Sequence, residues 1–111
     1  MQEIKIRYVV ENIQHNISMC EFTLEDIELG AVQDWIKTLP GNGNKIIFKD
    51  LFTGKQDKNG KDIYANDISD KGLIIWSAEY LGFFVKLRNG ESIPLYDENN
   101  LEIIGNIHQN P

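Results

Sequence analysis

The sequence predicts a β-rich α+β fold, a small twisted sheet or partly open β-barrel with one short helical excursion at about residues 24–39. Two observations carry this prediction. Short runs of alternating or β-prone residues recur along the chain with turn residues between them, and only one stretch places apolar residues at helical spacing. The length of 111 residues favours a single domain over residues 1–111.

The first hairpin is predicted from an alternating pattern. Residues 3–10 place every second side chain on one side of a half-buried strand, namely Ile4, Ile6, Tyr8 and Val10. The turn-rich residues 12–16 interrupt the pattern and place His15 at the hairpin tip. Residues 17–22 are then expected to form the antiparallel partner strand.

The helical excursion begins with a capping signal. Thr23 can cap a helix, with Asp26 at the reciprocal position of a shortened capping box. Gly30 is expected to break the segment, and residues 31–39 to form a second short helix. The side chains expected to pack inward are Leu24, Ile27, Trp35 and Leu39.

The remainder of the chain is predicted to be strands. A third strand over residues 45–52 leads into a long turn over residues 53–62. Asn89-Gly90 predicts a hairpin with a type I′ turn, which needs positive φ at both positions. Pro94 places its strand at an edge or bulge. The later strands are expected at residues 73–79, 82–88, 91–96 and 101–107.

Charge is unevenly distributed in a chain of net charge −6. Residues 8–36 hold six carboxylates and no Lys or Arg, whereas residues 37–88 hold nine bases and six acids. Such a chain lacks a broad basic surface for phosphate backbones, so direct nucleic-acid binding is not expected. The acidic stretch is instead the candidate partner-binding surface, and we assign it to Glu21, Glu25, Asp26, Glu28 and Asp34.

No residue pattern indicates a catalytic, cofactor or metal site, so we expect a protein that is not an enzyme. Asp57 could begin a calcium loop, but Lys61 then falls on a ligand position and Ile68 stands where the loop needs Glu. His15, His108 and Cys20 lack the close pairing of zinc ligands. Cys20 is expected to be a small core residue.

The sequence also predicts the compartment in which the protein acts. A lone cysteine makes no internal disulfide, so the fold does not require an oxidising environment. We find no charged-then-apolar leader and no apolar run near the ~20 residues that span a bilayer. We therefore expect a cytoplasmic protein with no membrane association.

The densest motif spans residues 52–68, Phe-Thr-Gly-Lys-Gln-Asp-Lys-Asn-Gly-Lys-Asp-Ile-Tyr-Ala-Asn-Asp-Ile. It resembles the hallmark of the YopX family, small proteins of bacteriophages and prophages. Residues 101–111 resemble the family's ending, in which Ile-Gly-Asn-Ile is typical. The chain departs from the family pattern at Lys55, where Leu is usual, and at Ala65-Asn66, where Glu-Gly is usual.

The resemblance implies a β-rich fold and a phage or prophage origin, hence the bacterial host cytoplasm, and it supplies no activity. We expect an accessory protein that binds a host or phage protein. A nucleic-acid-associated module of phage replication or regulation is the alternative. The partner, the phage stage and the oligomeric state stay open.

The motif itself favours a structural role. Asp57 can cap the turn at Asn59-Gly60, whose residues tolerate left-handed conformations. The residues assigned to this clasp are Thr53, Gly54, Asp57, Asn59, Gly60, Ile63, Tyr64 and Asp67. The alternative is a recognition loop that exposes Lys55, Lys58 and Lys61. The aromatics could form a base-stacking platform, but core packing is favoured for Trp35, Trp76, Tyr80, Phe83, Phe84 and Tyr96. One aromatic among Trp76, Phe83 and Phe84 can still face solvent, and an exposed aromatic would mark a partner surface.

Overall fold

The computed structural model describes residues 3–109, and strands predominate among them. Two antiparallel sheets and two short helices confirm the β-rich α+β class, and the strands of residues 3–109 do not close into a barrel. The strands are β1 Lys5–Glu11, β2 Ile17–Thr23, β3 Lys45–Gln56, β4 Asp62–Tyr64, β5 Asp67–Ser69, β6 Gly72–Ser77, β7 Gly82–Leu87, β8 Ser92–Pro94 and β9 Ile103–Asn106. The helices are α1 Leu24–Glu28 and α2 Ala31–Thr38, with 3-10 turns at Leu95–Asp97 and Ile107–Gln109.

The chain divides into two compact units, one ending at Leu51 and the other beginning at Phe52. A single domain over residues 1–111 stays a prediction. The last two residues of the family-like ending, at 110 and 111, lie outside the described residues, as do residues 1 and 2.

In the first unit, β1 lies between β2 and β3 and pairs antiparallel with both. The predicted half-buried alternation over residues 3–10 is wrong, because Arg7 and Val9 are buried as well as Tyr8 and Val10. Arg7 tolerates burial because its guanidinium donates to the Asp50 carboxylate, with Nε and a terminal nitrogen 3.1 and 2.7 Å from Oδ2.

The two helices follow β2 as predicted. Thr23 Oγ1 accepts from the Asp26 amide at 3.2 Å, and Asp26 Oδ2 accepts from the Thr23 amide at 3.0 Å, which confirms the capping box. Gly30 separates the helices at φ 83°. The core of this unit consists of Tyr8, Phe22 and Val32, with Ile27 and Trp35 packed against it.

The second unit contains a five-stranded sheet in the order β8-β7-β6-β5-β9. Its buried cluster comprises Ile63, Ile74, Val85, Leu95, Leu101 and Ile103. The short strand β8 that ends at Pro94 lies at the sheet edge, as predicted, because proline removes a ladder donor.

Several predicted boundaries are wrong in this unit. β3 continues to Gln56, so the long turn begins later than residue 53, and residues 95–97 form a 3-10 turn rather than strand. The Asn89-Gly90 hairpin is present, but only Gly90 has positive φ, at 92°. The Gly90 amide donates to Leu87 O at 3.0 Å, which makes a type I turn closed by a left-handed glycine.

Candidate functional site

Asp57 is the centre of the turn motif. Its Oδ1 accepts from the amides of Asn59 and Lys61 at 2.8 and 3.0 Å, which confirms the predicted cap. Its Oδ2 accepts from the Ile103 amide at 2.9 Å, and its side chain is buried. Gly60 has φ 81°, but Asn59 does not adopt a left-handed conformation, so that part of the prediction is wrong. One carboxylate thus joins the motif to the family-like ending.

The start of the motif is also held by hydrogen bonds. Thr53 Oγ1 donates to Ile63 O at 2.8 Å and accepts from the Lys55 amide at 3.2 Å, with Gly54 between them at φ 88°. Lys55 is half-buried rather than exposed. Its Nζ donates to Leu95 O at 2.8 Å and to a neighbouring carbonyl, which removes it from a recognition loop.

The end of the motif turns on Asp67. Its Oδ2 accepts from the Tyr64 amide at 2.8 Å, and Ile63 and Tyr64 are both buried. Asn66 has φ 72°, a conformation that glycine and asparagine adopt at least cost. This explains why asparagine can stand where the family pattern usually has glycine.

The acidic stretch is spread over three elements. Glu21 lies in β2 opposite Arg7, Glu25 and Glu28 are exposed on α1, and Asp34 is exposed in the first turn of α2. Asp26 is committed to the capping box. The predicted inward packing of the helical leucines is wrong in part. Leu24 is 46% exposed because it begins α1 on the solvent side, and Leu39 is half-buried. The role of these acids in binding stays a prediction.

The β6–β7 hairpin exposes three large apolar side chains, and core packing was predicted for two of them, Trp76 and Tyr80. The exposed fractions are 50% for Trp76, 69% for Tyr80 and 77% for Leu81. Trp76 contacts the Phe83 ring at 5.1 Å and Tyr80 contacts the Phe84 ring at 5.6 Å, between ring centroids. Core packing is therefore wrong for Trp76 and Tyr80, and also for Tyr96, which is 77% exposed.

Leu81 adds backbone strain at the tip of this hairpin. Its φ is 52°, in the left-handed region where a non-glycine side chain costs about 1–2 kcal/mol. The loop between Ser77 and Gly82 would accommodate glycine or asparagine at this position more easily. Sequence reasoning missed Leu81, although two adjacent apolar residues in a hairpin turn were a usable signal.

Two lysines of the middle segment lie beside glutamates. Lys71 Nζ lies 2.7 Å from Glu98 Oε1, and Lys58 Nζ lies 3.8 Å from Glu102 Oε1. Acids from the carboxyl-terminal segment thus neutralise part of the positive excess of residues 37–88.

Reactive and metal-binding groups are dispersed. Among residues 3–109, no three His, Cys, Asp or Glu side chains lie together as a metal site. His15 is exposed at the predicted hairpin tip. Cys20 is half-buried against the first core, and burial raises the pKa of its thiol, which keeps it protonated and weakly nucleophilic.

The features described above are those of a small, strand-rich α+β protein. The family model described as YopX protein matches residues 5–111. The chain therefore belongs to the YopX family. No curated protein and no solved structure matches it. Within the described part of the chain, no helix is long and apolar enough to cross a membrane.

Proposed function

We propose that this YopX-family chain is a phage or prophage accessory protein that acts in the host cytoplasm by binding a host or phage protein, without catalysis. The observation that carries the proposal is the strained, exposed leucine at the tip of the β6–β7 hairpin. Strained backbone persists where the surrounding structure enforces it and is concentrated at functional sites. Here it presents an apolar side chain to solvent, where folding gains nothing from it.

The two exposed aromatic side chains of the same hairpin are suited to protein recognition. Trp76 and Tyr80 are of the residue types that dominate binding energy at interfaces. Each ring rests on a phenylalanine of β7, so each is partly immobilised before a partner arrives. A preorganised anchor loses less side-chain entropy on binding than a free one.

The charge distribution favours a protein partner over nucleic acid. Proteins bind phosphate backbones through many Lys and Arg side chains. The net charge of −6 of this chain instead repels a phosphate backbone. Two lysines of the positive segment already face glutamates. Leu81 offers an aliphatic side chain, which has no ring on which a base could stack.

The experiment compares Leu81→Asn with wild type. Asparagine tolerates positive φ, so we expect the variant to be at least as stable in urea while it loses the partner captured from an infected or prophage-carrying host lysate. Retention of the partner by a folded Leu81→Asn protein would refute the role of the hairpin.

A matched variant examines the acidic stretch in the same capture. Glu25→Lys, Glu28→Lys and Asp34→Lys together change exposed residues far from the hairpin in sequence. If the hairpin is the binding surface, this variant keeps the partner. If this variant loses the partner and Leu81→Asn keeps it, the binding site lies in the acidic stretch. Salt-dependent binding of single- or double-stranded DNA by the wild type would favour the nucleic-acid alternative.

A further inference from the structure

The register of the second sheet defines an outer face, opposite to its core. Ile74 and Val85 pair across β6 and β7 and are fully buried, so the residues directly before and after each of them point to the other side. Those neighbours, with their partners on β8, are what we call the outer face: Leu73, Ile75, Phe84, Lys86, Ser92 and Pro94.

This face is apolar with a basic rim. Leu73, Ile75, Phe84 and Pro94 are only partly exposed, and the Tyr80 ring lies against Phe84 and extends the surface towards the hairpin tip. Lys86 is the charged member, and Arg88 follows at the end of β7. The outer face holds no acid, although its unit carries nine acids and six bases.

The two bases are not neutralised. Both side chains are exposed, and neither forms a hydrogen bond or ion pair with another residue of the range 3–109. In the same unit, Lys55, Lys58 and Lys71 all contact carbonyl or carboxylate oxygens. The bases beside the exposed aromatic surface are thus left available for a ligand.

We propose that the hairpin and the outer face bind a short peptide segment in which apolar side chains are followed by carboxylates. This inference rests on the proposed function and specifies its partner chemistry. Apolar side chains would cover Tyr80, Leu81 and Phe84, and an Asp or Glu beside them would pair with Lys86 or Arg88. A peptide that covers the outer face removes part of the water around these two bases, and a lower local dielectric strengthens such a pair.

Single-stranded nucleic acid is the alternative ligand for a surface that combines aromatic and basic side chains. It fits less well because two bases neutralise few phosphates and the remaining acids of the unit repel the rest. A peptide needs only one or two carboxylates to satisfy Lys86 and Arg88, and its aliphatic groups match Leu81.

The test selects binders from a displayed library of random peptides and measures the enriched peptides by fluorescence anisotropy. We expect enriched peptides to combine apolar residues with Asp or Glu. Lys86→Glu with Arg88→Glu is expected to weaken them about tenfold and to shift selection towards Lys-bearing peptides. Lys37→Glu with Lys45→Glu, which changes exposed bases of the first unit by the same charge, is expected to leave binding unchanged.

The outcomes separate the two proposals. Peptides that require Leu81 but bind the Lys86→Glu, Arg88→Glu variant as tightly as wild type would overturn the carboxylate inference and leave the binding hairpin intact. If the enriched peptides bind Leu81→Asn as tightly as wild type, or if no peptides are enriched, both the binding hairpin and the carboxylate inference are overturned. Displacement of a bound peptide by a single-stranded oligonucleotide at low salt would assign the face to nucleic acid.

Discussion

Removal of the Asp57 side chain is the sharpest perturbation of this fold. The carboxylate accepts hydrogen bonds from three backbone amides, those of Asn59 and Lys61 in its own turn and that of Ile103, which is 46 positions away. Asp57→Ala removes all three hydrogen bonds and adds no new group. The variant therefore measures the combined contribution of the turn cap and of its connection to strand β9.

The expected loss follows from where each amide lies. Asn59 and Lys61 are exposed, so water replaces the carboxylate and each lost bond costs about 0.5–1.5 kcal/mol. Ile103 is buried, and its unsatisfied amide costs about 1–3 kcal/mol. We expect a loss of about 4 kcal/mol, a large share of the 5–15 kcal/mol typical of native proteins.

The same carboxylate makes the loss pH-dependent. Burial raises the pKa of Asp57, but the hydrogen bonds from Ile103, Lys61 and Asn59 and the charge of Lys61 lower it, and the net pKa lies below 3.8. The unfolded chain therefore binds the proton first as pH falls. Above about pH 4 the ionised Asp57 carboxylate makes its full contribution to the free energy of unfolding. That contribution is lost as the pH falls through the pKa of Asp57 in the folded state.

Urea denaturation at pH 7 and at low pH measures both effects. We expect the difference in unfolding free energy between wild type and Asp57→Ala to shrink at low pH. Asp57→Asn keeps one acceptor oxygen and is expected to be intermediate. Asp97→Ala, an exposed acid of the same unit, controls for loss of charge. A loss below about 1 kcal/mol for Asp57→Ala at pH 7 would refute the reasoning.

Three further predictions concern backbone and metal. Gly60→Val is expected to lose about 1–2 kcal/mol because only the positive φ of 81° opposes it, with open space around the new Cβ; Gly105→Ala, also in open space but without positive φ, is expected to melt within a few degrees of wild type. Gly72→Ala is expected to lose more unfolding free energy than Gly60→Val, because the new Cβ would lie 2.1 Å from Lys86 O and push β6 away from β7. If Gly72→Ala is as stable in urea as Gly60→Val, the close approach of Gly72 to Lys86 is contradicted. Dialysis against a chelator is expected to leave the melting temperature unchanged, and a fall that calcium or zinc reverses would assign a metal to the Asp57–Asp62 loop.

Local signals in the sequence predicted local structure well. The capping box at Thr23, the break at Gly30 and the cap that Asp57 forms over its own turn all depend on residues within four positions of one another. Such hydrogen bonds are determined by the order of residues along the chain, because the partners meet in almost any compact state. The edge position of Pro94 is equally local, since it follows from a missing amide hydrogen.

Features that join distant residues were not predicted. Arg7 and Asp50 are 43 positions apart, and nothing near Arg7 indicates that its guanidinium is buried against a carboxylate. The bond from Ile103 to Asp57 joins positions 46 apart, so the second role of that carboxylate was also hidden. The exposure of Tyr80 and Tyr96 was missed for a related reason, because the residue type does not by itself decide whether an aromatic side chain lies in a core or on a surface.

The sequence by itself determined the β-rich class, the positions of most turns and caps, and membership of the YopX family, since these depend on spacing and residue type over short stretches. Only the tertiary structure decided which charged groups are buried as pairs and which apolar groups stay exposed. Burial depends on which strands become neighbours, and strand pairing is set by contacts between residues that the chain holds far apart. Leu81 combines both: its place in a turn is visible in the sequence, whereas its strained backbone and its exposure appear only after β6 and β7 have paired.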